Sequence, residues 1–167
     1  FFKQKTAYEI VDCDWSSDVC SSDLRGDLRK GSNLYTASIV ALNPDNGKMK
    51  WYFQSSPHDT HDWDAAQVPV LFDMNINGQP RKLVAQASRN GFFFVLDRAT
   101  GKNLVTSTFV ESPNWYKGVS ERGEPIPNPD KDSQLGGSLI SPNNGGDRKS
   151  TRLNSSHSQQ SRMPSSA

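Results

Sequence analysis

The sequence repeats itself once, and that repeat constrains the fold more than any other feature. "ALNPDNGKMKW" (41–51) and "VLDRATGKNLV" (95–105) align without gaps at a period of 54 residues. Each copy carries Asn43 or Asp97 at its third position and then reaches Gly47-Lys48 or Gly101-Lys102. Asn46-Gly47 and Thr100-Gly101 are tight-turn signals, because glycine adopts the positive φ that such turns require. The copies end β-rich runs at "NLYTASIVAL" (33–42) and "GFFFVL" (91–96); further runs stand at "KMKWYFQ" (48–54), "VPVLFDM" (68–74) and "KLVAQAS" (82–88). Short apolar runs separated by turns, without a helical period, predict an antiparallel all-β array. A period of this size fits a four-stranded propeller blade. A β-sandwich is the alternative, but it does not predict the repeated turn.

The two ends differ from this middle. Residues 1–24 and 147–167 are Ser-rich and lack strand or helix periodicity. Both back-translate onto the index adapter of a short-read sequencing library, on opposite strands. The variable index agrees, since "IVDC" (10–13) and "SQQ" (158–160) can be encoded by complementary DNA. A pair of disordered tails explains the composition but not this complementarity. Residues 1–24 and 147–167 are therefore expected to be translated adapter and disordered, and 25–146 to be a natural segment truncated at both ends. On that reading Cys13 and Cys20 form neither a disulfide nor half a metal site.

Hydrophobic residues make up 34% of the chain, with 12 Gly and 10 Pro, which indicates a loop-rich protein. A formal charge of +1 gives no argument for nucleic acid or an anionic membrane as partner. No apolar run is long enough to span a membrane, and "FFKQKTAYEI" has none of the features of a signal peptide.

The densest polar cluster is "PHDTHDWD" (57–64), in which His58, His61, Asp59, Asp62 and Asp64 surround Trp63. Three readings compete. A zinc site needs three or four N, S or O ligands, yet 25–146 holds no other histidine and no cysteine. A structural reading has Asp and His at a strand end bonding a loop. The third reading comes from a family resemblance.

The two turn copies resemble A-x-D-x-x-T-G-K-x-x-W, the tryptophan-docking motif of the pyrroloquinoline quinone (PQQ) dependent alcohol dehydrogenases, which are eight-bladed β-propellers. The first copy matches with Asn43 for the Asp and Asn46 for the Thr, and the second with Val105 in place of the tryptophan. "RKLVAQASRNGFFFVLDRATGK" (81–102) also looks like this family. The resemblance covers about two blades of a much longer enzyme.

Members of this family carry a catalytic Asp in a P-x-D-x-W-D-Y-like segment, followed by Arg or Lys in an [RK]-N-G segment. Aligned without a gap, "PHDTHDWD" puts Asp62 on the catalytic Asp, and Arg89 of "SRNGFFF" follows 27 positions later. The chain departs from the pattern in carrying His61 where an aromatic normally precedes the Asp. A gapped alignment would make Asp64 the base, whereas the ungapped one also brings Gln67 into register.

The resemblance implies a mechanism and partners. Asp62 would remove the alcohol proton as hydride passes to a quinone carbonyl, and Arg89 would set positive charge beside the quinone oxygen. A hard cation would polarise that carbonyl, with Asp62 and Asp64 as ligands. An Asp at position 64 resembles the lanthanide-dependent members, with Ca²⁺ the alternative, because a trivalent cation gains more from one extra carboxylate. The family further implies a primary alcohol substrate, a cytochrome c electron acceptor and a periplasmic location. The remaining metal ligands and PQQ contacts would come from blades outside this segment. A non-catalytic propeller scaffold is the competing class. Asn114-Trp115 reads as a loop, and 111–137 as a Pro-rich surface excursion without assigned chemistry.

Overall fold

The computed structural model describes residues 28–63, 65, 67–133 and 138–143, and Glu9–Asp12 through its backbone pairing. The described residues form nine strands: β1 (Glu9–Asp12), β2 (Ser38–Leu42), β3 (Met49–Gln54), β4 (Val70–Ile76), β5 (Gln79–Ala87), β6 (Phe92–Asp97), β7 (Asn103–Thr108), β8 (Tyr116–Val119) and β9 (Pro125–Pro127). They form a three-stranded sheet β1-β2-β3, a four-stranded sheet β4-β5-β6-β7 and the hairpin β8-β9, and every pairing is antiparallel. Among the described residues no helix is long and apolar enough to cross a membrane.

The repeat of the sequence is a repeat of backbone geometry. In the β2–β3 turn Asn43 N donates to Lys48 O and Gly47 N to Asn43 O, both at 2.8 Å. In the β6–β7 turn Asp97 N donates to Lys102 O and Gly101 N to Asp97 O, again at 2.8 Å. The Asn43 and Asp97 side chains play one part: Asn43 Oδ1 accepts from Asp45 N, and Asp97 Oδ1 from Ala99 N and Thr100 N. Even the register shifts correspond, falling at Ala41/Leu42 and at Val95/Leu96.

One difference between the copies joins the two sheets. Trp51 in β3 lays its indole over the second turn and donates Nε1–H to Arg98 O at 3.0 Å. At Gly101 a Cβ would lie 2.6–2.8 Å from atoms of the Trp51 ring, whereas at Gly47 it would meet nothing within 4 Å. Behind this contact the sheets share one aromatic core of Ile39, Ala41, Phe53, Val84, Phe92, Phe94 and Leu96, in which the Phe53 and Phe94 rings meet edge to face at 5.0 Å. The other face of the four-stranded sheet carries Leu83, Ala85 and Val95 under a partial cover of Phe72, Ile76, Phe93 and Leu104. On β4 itself, Val70, Leu71 and Met74 are exposed. The β8–β9 hairpin is tied to β3 by Arg122, whose guanidinium stands 4.6 Å over the Tyr52 ring, and by Glu124, which accepts from Gln54 N.

Three sequence expectations need correction. The run 33–42 is strand only over Ser38–Leu42, because Asn33 and Ala37 take positive φ and turn the chain. The N-terminal segment expected to be disordered forms a strand over Glu9–Asp12, paired from Glu9 opposite Leu42 to Asp12 opposite Ile39. β2 is otherwise an edge, and an edge presents unpaired N–H and C=O groups that an extended backbone can satisfy. The third concerns 111–137: it is no mere surface excursion, since Trp115 is buried in the core. The remainder of the segments read as adapter lies outside the described residues.

The unequal surroundings of two glycines in one turn geometry yield a direct test. Gly47→Ala places a Cβ at φ 68° in open space and should cost about 1 kcal/mol. Gly101→Ala at φ 73° must also displace the Trp51 indole, for about 3 kcal/mol in all. Urea denaturation of the two variants should show that gap, and equal losses would refute the docking contact.

Candidate active site: the Asp62 loop and the Arg89 turn

The turn between β5 and β6 is built from the inside out. Asn90 is fully buried, and its Nδ2 donates to Ser55 O and Ser56 Oγ, each at 2.8 Å, while its Oδ1 accepts from Phe92 N at 3.0 Å. Gly91 follows at φ 91°, where a Cβ would stand 2.6 Å from Val110 Cγ2. Ser88 and Phe92 close the hairpin through Ser88 N to Phe92 O at 2.8 Å. With Asn90 held inside, Arg89 is half-buried at the turn.

The loop after β3 is laid against this turn by two glutamines. Gln86 Nε2 donates to Ala65 O at 3.1 Å and Gln67 O at 2.7 Å, and Gln67 Oε1 accepts from Arg89 N at 3.1 Å. Further up the loop, Asp59 folds the backbone on itself, accepting from His61 N at 2.8 Å and Trp63 N at 3.2 Å. The resulting tight path puts Asp62 at φ 58°, in the left-handed region that Asp tolerates at a cost of about 1 kcal/mol. Asp62 is half-buried between the buried His61 and Trp63, and both Asp62 and Arg89 are engaged by neighbouring groups.

The structural reading therefore holds for three of the five polar side chains. His58 Nδ1 lies 2.7 Å from Gly31 O, and Asp59 caps the loop as described. His61 packs on Trp63 with ring centroids 4.4 Å apart. Burial pushes its pKa down to about 4, against an opposing pull from Asp132, so the imidazole is neutral at neutral pH. Among the described residues no three His, Cys, Asp or Glu side chains converge on a metal-sized site. Asp64 lies outside the described residues.

The sequence reading missed what holds this arrangement. Trp115, 2% exposed, packs against Trp63 with ring centroids 4.6 Å apart and donates Nε1–H to Asn90 O at 2.9 Å. Thr60 Oγ1 donates to Asp132 Oδ1 at 2.9 Å, and Ser133 Oγ donates to Thr60 O at 2.6 Å. Trp63 Nε1 donates to Asn143 O at 3.3 Å. The one sequence signal for these contacts was the Asn114-Trp115 pair in a polar stretch.

A four-stranded antiparallel sheet, with the preceding sheet docked through a tryptophan onto its last hairpin turn, is a blade of a β-propeller. Residues 17–133 match the family described as "PQQ: Glucose/ethanol/alcohol dehydrogenase, beta-propeller domain". The chain belongs to this family. It is 50% identical over 112 residues to the quinohemoprotein alcohol dehydrogenase of Comamonas testosteroni, covering 67% of this chain and 15% of that protein. It is 48% identical over 100 residues to the 1-butanol dehydrogenase (cytochrome c) of Thauera butanivorans, covering 60% of this chain and 14% of that protein. Among solved structures, a europium-containing methanol dehydrogenase superposes with a TM-score of 0.65 at 35% identity, over 72% of this chain and 22% of that one. The chain thus spans about one-seventh of the length of the two curated relatives.

The site depends on Asn90 before it depends on any charge. Asn90→Ala leaves Ser55 O and Phe92 N buried without their partner and should destabilise the chain by about 2–4 kcal/mol. A loss below 1 kcal/mol in urea denaturation would show that water reaches this turn.

Proposed function

We propose that this chain carries the base-and-arginine corner of a PQQ-dependent alcohol dehydrogenase. The observation that carries the reading is the lacing of the Asp62 loop to the Arg89 turn through Gln67 and Gln86. It supports these two side chains acting on one substrate. When bound, PQQ supplies a quinone carbonyl that takes the hydride, and a cation polarises it. Asp62 accepts the hydroxyl proton of a primary alcohol at a carboxylate oxygen. Arg89 presents fixed positive charge where the quinone oxygen gains negative charge.

The donor chemistry fits this assignment. A hard cation takes carboxylate oxygens, which Asp62 offers and Asp64 adds in our proposal. The described residues offer no complete cage, so other ligands come from further blades. A lanthanide is the proposed metal, with Ca²⁺ the alternative, and the europium-containing relative supports that choice. A cytochrome c acceptor is proposed from the name of the Thauera relative, and a periplasmic location from the family resemblance.

These assignments have separable tests in the complete enzyme. Asp62→Asn should lower kcat by about 10²–10⁴-fold while PQQ binding, followed by fluorescence quenching, persists. Arg89→Ala should lower it by about 10²–10³-fold. Apo-enzyme given La³⁺ should outperform the same enzyme given Ca²⁺, and Asp64→Ala should abolish that advantage. Equal activity with Ca²⁺ removes the lanthanide, full turnover in Asp62→Asn removes Asp62 as the base, and a complete wild-type protein that oxidises no alcohol with PQQ and metal leaves a scaffold propeller. The present chain alone should oxidise no alcohol, since it lacks most of the cofactor's surroundings.

Residues 1–24 and 147–167 are proposed to be translated adapter, in keeping with their complementary coding. Sequencing outward from primers within 25–146 on source DNA should leave the present frame at both ends. Finding the codons for "SSDVCSSDL" upstream of Arg25 would overturn this.

A further inference from the structure

Trp115 touches both halves of the candidate site without belonging to either. Its indole packs at an inclined angle of 57° against Trp63, the residue after Asp62, with centroids 4.6 Å apart. Its Nε1–H donates to the carbonyl of Asn90, the residue after Arg89, at 2.9 Å. Both neighbours are themselves fully buried, so neither contact has slack from solvent. The Trp115 ring also meets Phe92 edge to face at 5.6 Å, which fixes it against β6.

Trp115 is in turn held from behind. Its own carbonyl accepts from Asn128 N at 2.7 Å. The adjacent Asn114 is bonded to Ser141 in both directions, through Asn114 N to Ser141 O at 3.1 Å and Ser141 N to Asn114 Oδ1 at 2.9 Å. The same excursion reaches the loop a second time through Asp132 and Ser133 on Thr60.

We propose that Trp115 is a positioning residue that sets the separation of Asp62 from Arg89, with residues 111–133 and 138–143 as the brace that holds it. This rests on the assignment of those two residues as base and quinone-side cation. The indole acts as a rigid spacer. One edge fixes the Arg89 turn through a hydrogen bond, an inclined ring contact fixes the Asp62 loop through Trp63, and the ring cannot shorten between them. Proton transfer needs its partners within a few tenths of an ångström, and displacement of about 1 Å by a remote change can cost roughly a hundredfold in rate.

The test uses Trp115→Phe, which keeps an aromatic face for Trp63 and removes the donor to Asn90 O. In the chain itself, hydrogen exchange should quicken about tenfold in peptides covering 59–67 and 88–91 together, and stay unchanged across 93–108. In the complete, PQQ- and metal-loaded enzyme kcat should fall about tenfold with the alcohol KM moved less than about twofold. In an Arg89→Ala background the same substitution should cost almost nothing more. Thr106→Val, which removes a hydrogen bond to Gly123 O away from the site, controls for general loss of stability and should leave kcat unchanged. Unchanged exchange in either peptide, or a full additional loss in the Arg89→Ala background, would overturn the positioning role. Asp62→Asn and Arg89→Ala enzymes that keep normal turnover would instead overturn the site assignment beneath it.

Discussion

The docking of Trp51 onto the turn at Gly101 is the contact on which the remaining structure depends. Without it the β2–β3 hairpin has no reason to stand at any particular height against the four-stranded sheet. With it, Phe53 meets Phe94, and β3 ends at Gln54 directly above the turn that holds Asn90. Ser55 and Ser56, the first residues past β3, are the groups that Asn90 binds. An aromatic side chain in one blade therefore fixes a polar contact far along the same strand, because a β-strand transmits its register rigidly.

From that contact the site follows by successive constraint. The apolar core supplies position, and buried hydrogen bonds supply direction. Ser55, Ser56, Gln86 and Asn90 are all buried, and each such group is costly unless its partner is in place. A loop anchored this way has few alternative conformations of similar energy. That explains why Asp62 can be held at φ 58°, a conformation that a free loop would leave. The same logic separates the residues of the histidine-rich stretch. His58, Asp59 and His61 are consumed by structure, and the proposed base, Asp62, is the remaining described carboxylate of the stretch.

The sequence showed the turns most clearly, because their requirements are local. Gly47 and Gly101, with Asn43 and Asp97 before them, announce two copies of one hairpin. Asn77-Gly78 was an equally strong signal that went unused: both residues take positive φ and join β4 to β5 in a two-residue turn. The run 33–42 misled because apolar composition cannot show that Asn33 and Ala37 turn the chain. The strand at Glu9–Asp12 was illegible for a different reason, since it depends on an open edge supplied by β2. In the site, the pattern gave Asp62, Gln67 and Arg89 at their spacing. Trp115 escaped because its two partners lie 25 and more residues away, and no periodicity connects a lone tryptophan in a Pro-rich stretch to them. Apart from the local turns at Asn33 and Ala37, what remained hidden was a long-range contact.

The Trp51 indole has a further consequence for the order in which such a protein takes shape on the ribosome. Its hydrogen-bond acceptor lies 47 residues downstream. At typical synthesis rates that segment takes roughly 2–10 seconds to appear. Throughout that interval the first sheet has emerged with its broad aromatic surface bare. The Trp51 sheet is thus completed by the sheet that follows it, and its burial runs one unit behind translation.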